Sequence, residues 1–169
     1  FKASPDDLPD GYSDYIKFKS IHNYWLEPYA SYSAVKLFFN GKPWLAWPSK
    51  YRSYFQFKKS DLRGKLEDKI EAYCFFQYLF FEQWSQLREY ANNKGITIIG
   101  DIPIFVSIDS ADVWSSPEIF ELKKDGNPKS VAGVPPDYFS PSGQLWGNPL
   151  YNWKRLKDGN YEWWKDRLR

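Results

Sequence analysis

Between Gly64 and Asn93 apolar side chains return every three or four positions: Leu66, Ile70, Tyr73, Phe80, Trp84, Leu87 and Ala91, with Gln77 in the same row. That period predicts one long helix. Phe76, Leu79 and Phe81 occupy the neighbouring rows, which predicts a helix covered on more than one side. Gly95 is a natural stop, and "ITIIGDIPIFV" follows it, short and rich in β-branched residues. A continuous apolar run of that length reads as a buried strand of a parallel sheet. Upstream, Trp25, Tyr29, Tyr32 or Ser33, and Phe39 fall near helical spacing. They predict a helix from about Trp25 to Phe39, ended at Asn40-Gly41, where glycine supplies the left-handed conformation of a helix terminus. Phe1 to Lys19 is polar and turn-rich and reads as an exposed lead-in.

The remaining stretches are punctuated. "GKPWLAWPSKYRS" predicts a loop anchored by Trp44 and Trp47. After Val106 the pattern dissolves into a long polar and aromatic excursion in which "KKDGNPK" has the composition of a hairpin tip. "VAGVPPDYFSPSGQLWGNPLYNW", Val131 to Trp153, carries four prolines, three glycines, five aromatic rings and one charge, Asp137. It reads as too punctuated for a helix or strand and too apolar for a solvated linker. A last helix is predicted from about Tyr161. One strand and three helices do not close a sheet, so the pattern favours part of a larger α/β barrel.

Composition narrows the class. The 23 basic and 21 acidic residues nearly cancel, and no long Lys/Arg block occurs, which argues against nucleic-acid binding. No apolar run approaches a membrane span and no signal peptide opens the chain. The single cysteine, Cys74, lies in the long helical pattern, so it reads as a buried, inert thiol in a reducing, cytoplasmic setting. Methionine is absent and the chain opens on Phe1, which reads as an excerpted chain. Aromatic residues reach 21%. Two explanations stay open for them: core packing, or carbohydrate binding, in which the C–H face of a pyranose lies on a flat ring.

Few groups offer chemistry. Asp101 falls in the second half of the predicted strand between Gly100 and Pro103, where parallel α/β proteins place ligands. A buried carboxylate tied to backbone amides or to an arginine is the alternative. Asp109 followed by Ser110 is expected to cap a short turn before Trp114, with Asp112 in the same role. One His and one Cys cannot build a zinc site, and there is no phosphate loop or nucleophile elbow. A Ser-His-Asp triad would have to use His22, in a stretch that looks poorly ordered. What remains is carboxylates plus rings, the chemistry of glycoside transfer, which needs two carboxylates about 5 Å apart in the retaining geometry. No spacing picks out such a pair.

"GDIPIFVSIDSADVW" and "VAGVPPDYFSPSGQLWGNPLYNW" resemble signature segments of the 4-alpha-glucanotransferases (amylomaltases, disproportionating enzymes) of glycoside hydrolase family 77. The resemblance extends to "QYLFFEQWSQLREYANNKGI" and, more loosely, to "NYWLEPYASYSAVK" with "GKPWLAWP", so it covers roughly Tyr24 to Trp153. It implies an α/β fold, a partial (β/α)8 TIM barrel with mostly helical insertions. Residues 1–60 would be a helical and irregular insertion, 61–106 a barrel helix and the third barrel strand carrying Asp101, 107–153 an insertion with an active-site lid, and 154–169 the start of the next barrel helix.

The same resemblance implies an enzyme that moves α-1,4-glucan segments between maltooligosaccharides with retained configuration, using no metal or organic cofactor. Asp101, Asp137, Tyr138, Phe139, Gln144, Trp146 and Asn148 would line its sugar subsites. The nucleophilic Asp, the acid/base Glu and a third, transition-state-stabilising Asp lie on later strands in the family. None of the three falls within these residues, so the fragment alone is expected to be inactive. A non-catalytic glucan-binding module is the alternative. Trp146 and Trp153 can also be read as rings wedged in a barrel wall, and Pro149 and Tyr151 as scaffold.

Overall fold

The computed structural model describes residues 12–168. Seven helices are present there: α1 (Tyr12–Phe38), α2 (Tyr54–Lys58), α3 (Asp61–Lys65), α4 (Glu67–Asn93), α5 (Ala111–Ser115), α6 (Trp153–Asp158) and α7 (Glu162–Leu168). Two strands, β1 (Val131–Val134) and β2 (Gln144–Pro149), make one antiparallel sheet. The described residues divide into two compact units, one of residues 12–35 and 61–99, the other of 36–60 and 100–168.

In the first unit the long helical pattern is correct: α4 runs to Asn93 and stops before Gly95, whose φ is +75°. The helix against it, α1, begins thirteen residues before the expected Trp25 and ends at Phe38, with Asn40 and Gly41 both at positive φ. The Pro9-Asp10-Gly11 turn signal hid its start, while the part of the lead-in before Tyr12 lies outside the described residues. From Tyr12 onward the lead-in is helical, and Tyr15 and Phe18 are buried. Pro28 lies inside α1, where it withholds an N–H from the ladder.

Rings fill the space between α1 and α4. Tyr15 meets Phe75 edge-on at 5.3 Å, Phe18 meets Phe81 at 5.2 Å, and Trp25 stacks on Phe81 at 5.7 Å. His22 is half-buried between Phe18, Trp25 and Phe81, not in a loose lead-in, and burial lowers its pKa. Cys74 is buried, and desolvation pushes its thiol up to about 11, so it stays protonated and unreactive. The expectation that α4 is covered on more than one side fails: Phe76, Phe80, Leu87 and Tyr90 are each more than half exposed. Helical periodicity reports which rows are apolar, and α1 covers only one of them.

In the second unit three tryptophans form the interior. Trp44, Trp47 and Trp114 are at most 4% exposed, and each indole N–H reaches a backbone carbonyl: Ile108, Lys42 and Tyr51 respectively. The loop anchored by Trp44 and Trp47 is therefore as expected, built from two short 3-10 turns. The "KKDGNPK" tip also forms, with Leu122 bridging Pro128 antiparallel and Asp125 accepting from the amide of Asn127.

Two expectations fail here. "ITIIGDIPIFV" forms no strand; Ile99 is 90% exposed and Ile104 62%. A strand exists only by pairing, and the sole sheet among the described residues is the β1–β2 pair. Conversely, Val131 to Pro149, read as lacking regular structure, is a hairpin. Its prolines and glycines punctuate the strands without preventing them. Pro135 and Pro136 lie in the loop between the strands and Pro149 closes β2, positions at which a missing N–H breaks no central ladder. Gly133 is required by contact: a Cβ there would lie 2.4 Å from the Gln144 carbonyl oxygen. An irregularity between Val131 and Gly133 shifts the register, so β2 carries the extra residues.

Candidate functional site: the β1–β2 hairpin

The hairpin has a rooted base and a free tip. At the base Pro149 is fully buried and Tyr151 is 4% exposed, packed between Phe105 (stacked, 6.0 Å) and Phe120 (5.3 Å). Burial pushes the Tyr151 hydroxyl up to about 12, so it remains a neutral scaffold ring. Phe120 bridges Tyr151, and the amide of Glu121 donates to the Leu150 carbonyl, which ties β2 to the preceding turn. Asn148 Nδ2 donates to the Val106 carbonyl at 2.8 Å, joining β2 to the segment that carries Asp101. A cleft of about 460 Å³ opens beside this base, lined by Phe105, Leu150, Tyr151, Trp153 and Trp164, the last two indoles lying parallel.

The tip is fixed by itself. Asp137 Oδ1 accepts from the amides of Phe139 (2.9 Å) and Ser140 (2.7 Å), while the Asp137 amide donates to the Ser140 carbonyl. Ser140 Oγ donates to the Gly143 carbonyl, and Gly143, at φ +70°, turns the chain back under Val134. Asp137 is a short side chain that folds onto its own backbone, as Asp does in turns. This knot leaves Tyr138 94% and Phe139 89% exposed, their rings edge-to-face at 5.5 Å. Large rings are rarely so exposed side by side without a surface to meet.

Of the residues singled out from sequence, the structure brings Asp137, Tyr138 and Phe139 together at the tip, and Gln144, Trp146 and Asn148 along β2. Trp146 is 45% exposed, rests edge-on against Phe105 at 6.1 Å, and donates its indole N–H to Gln144 Oε1 at 2.9 Å. Asp101 is exposed and its carboxylate accepts from the amide of Ile102, so the alternative of a buried carboxylate does not hold. Asp109 is not the cap of α5. Ser110 caps it, accepting from the Val113 amide, whereas Asp109 accepts from Lys36 and from the Trp44 amide. Asp112 instead faces the Trp163 indole and Arg167.

Sequence reasoning missed Phe105, which links Trp146 to Tyr151, and Ser140, which ties the tip. The alternation Gln144, Trp146, Asn148 was a usable strand signal; four prolines and three glycines masked it. Among the described residues no three His, Cys, Asp or Glu side chains group as metal ligands, and no helix is long and apolar enough to cross a membrane.

The structure is similar to that of an amylomaltase from Streptococcus agalactiae, solved in complex with acarbose: the TM-score is 0.84 at 40% identity, over 95% of this chain and 32% of that one. Residues 2–169 match the family model described as 4-alpha-glucanotransferase, glycoside hydrolase family 77, and the chain belongs to that family. It is 43% identical to the 4-alpha-glucanotransferase of Thermus thermophilus over 167 residues, and 44% identical to that of Aquifex aeolicus over 151. These alignments take in 99% and 89% of this chain but 33% and 31% of the relatives. The chain thus spans about a third of the length of the curated relatives it matches.

Proposed function

We propose that these residues are the glucan-facing part of a cytoplasmic 4-alpha-glucanotransferase, which moves α-1,4-glucan segments between maltooligosaccharides with retained configuration. In this reading the parent is a (β/α)8 barrel, "ITIIGDIPIFV" becomes its third strand once paired with neighbours, and the hairpin leans over the active site. Residues 1–60 and 107–153 are insertions on that barrel, and 154–169 begin its next helix. The nucleophile and the acid/base carboxylate come from other parts of the parent.

The observation that carries the reading is the self-tied tip holding Tyr138 and Phe139 almost fully outward. Transfer competes with hydrolysis at a covalent glycosyl intermediate, so the site has to exclude water until an acceptor sugar arrives. Two exposed rings on a preformed turn can cover that intermediate and lie on the incoming glucose. Gln144 and Asn148 supply amide groups for hydroxyls without adding charge, Trp146 a ring, and Asp101 and Asp137 carboxylate oxygens as acceptors.

The test is product analysis of the full-length parent on maltotriose. Glucose together with longer maltooligosaccharides is expected. Glucose and maltose alone, from attack by water, would overturn transfer, and binding without turnover would leave only a glucan-binding module.

A further inference from the structure

We propose that Trp146 sets the polarity of Gln144, so that Gln144 reads its ligand as a hydrogen-bond donor. This rests on the reading of the hairpin as the glucan-facing surface and adds which way one of its amides points.

An indole N–H donates and cannot accept, so the Gln144 atom it meets at 2.9 Å is the carbonyl Oε1. A planar amide then directs Nε2, with its two N–H groups, away from the indole. Among the described residues Nε2 donates to no protein group, and Gln144 is exposed. The orientation is anchored through a relay of rings: buried Tyr151 stacks on Phe105, Phe105 packs edge-on against Trp146, and Trp146 holds Gln144. The backbone before it is fixed as well, by Ser140 Oγ on the Gly143 carbonyl. Asn148 is set the opposite way. One N–H of its Nδ2 goes to the Val106 carbonyl, so this amide is anchored through its nitrogen, where Gln144 is anchored through its oxygen. Two amides on one strand are thus anchored by opposite ends, and the Gln144 end selects an acceptor-sugar hydroxyl used through its lone pair. Holding one amide rotamer in advance lowers the entropy lost on binding.

The experiment uses the full-length parent and glucose acceptors in which one hydroxyl at a time is replaced by hydrogen or by fluorine. Fluorine accepts a hydrogen bond weakly and cannot donate one. At the position Gln144 reads, the deoxy acceptor should lose about three- to tenfold in kcat/KM while the fluoro acceptor keeps part of it. In Gln144→Glu, which still accepts from the indole but cannot donate outward, the two acceptors should become equal. Trp146→Phe keeps the ring against Phe105 and removes the N–H; it should raise the acceptor KM about two- to threefold with kcat little changed. The double variant should then be no worse than Gln144→Glu, because Trp146 acts through Gln144. Thermal unfolding of each variant should match wild type, both positions being on the outer face of β2. Equal loss from hydrogen and fluorine at every position in the wild type, or additive effects in the double variant, would overturn the proposal. A parent that transfers no glucan overturns the underlying reading as well, whereas a parent that transfers and fails these comparisons overturns the polarity assignment alone.

Discussion

Trp44, Trp47 and Trp114 on one side, Tyr138 and Phe139 on the other, are large rings of the same unit held in opposite ways. Each tryptophan is buried and its one polar atom is satisfied by a carbonyl. Trp114 adds ring contacts to Trp47, Tyr54 and Phe57 at 5.3–5.9 Å. The tip rings touch each other and otherwise face out, on a turn whose hydrogen bonds are nearly all internal. Aromatic content alone cannot separate the two kinds, since both bury or present the same chemistry. What separates them is what the ring itself meets: each core indole donates to a backbone carbonyl and is buried, whereas the tip rings make no such bond and the hydrogen bonds around them close within the turn.

The largest effect should come from emptying the core. Trp114→Ala removes a fully buried ring and strands the Tyr51 carbonyl, which should cost about 3–5 kcal/mol in urea unfolding. Trp114→Phe keeps most of the volume and should cost less. A loss below about 1 kcal/mol for the alanine variant would break the distinction drawn here.

Gly133→Ala attacks the join between the two regions. Its Cβ would have to displace the Gln144 carbonyl from 2.4 Å, so the strands should part locally at a cost of about 1–3 kcal/mol. Hydrogen exchange should speed up at hairpin amides and stay slow around Trp44, Trp47 and Trp114. Uniform acceleration would mean that the hairpin is part of the core and not a module rooted on it.

Truncating the tip should do the reverse of Trp114→Ala. Tyr138→Ala and Phe139→Ala should change stability by less than about 0.5 kcal/mol. In the full-length parent they should raise the ratio of hydrolysis to transfer about two- to tenfold, as expected for the loss of a ring contact. An unchanged ratio with unchanged stability would leave these rings without a role in transfer.

The pattern of apolar positions made the long α4, the end of α1, the tryptophan-anchored loop and the "KKDGNPK" tip legible, because each depends on neighbours close in sequence. It misled where the outcome depends on pairing at a distance. "ITIIGDIPIFV" has every composition signal of a strand and none of the partners among the described residues, whereas in the β1–β2 hairpin Val134 pairs with Gln144 and Gly133 with Leu145, close in sequence but hidden under proline and glycine. The tip residues were named from a family likeness, with Asp137 as a sugar-binding or loop-fixing residue; its bonds to the Phe139 and Ser140 amides, and the opposite anchoring of Gln144 and Asn148, depend on side-chain orientations that sequence does not carry. Asp101 shows the same limit: its ligand-facing position and the buried alternative were both argued from a strand that does not form here.

The smallest effect lies in the first unit, where a third kind of ring is held by charge. Tyr15 is 4% exposed and donates to Glu71 Oε1 at 2.7 Å, and Lys19 donates to the other oxygen. Partial burial works against the Glu71 carboxylate, but the hydrogen bonds from Lys19 and Tyr15 outweigh it, and its pKa lies below the ordinary glutamate value. A depressed folded-state pKa stabilises the fold above the unfolded value, and that contribution disappears as pH falls through the lowered one. The side chain is 48% exposed, so screening should keep the effect under about 1 kcal/mol. Urea unfolding of wild type and Glu71→Gln should therefore differ at pH 7, with wild type the more stable, and converge as the solution is taken below the glutamate range. A difference that persists unchanged in acid would show that Glu71 holds Tyr15 by shape and not by charge, leaving the tryptophan interior and the α1–α4 interface as two versions of the same neutral core.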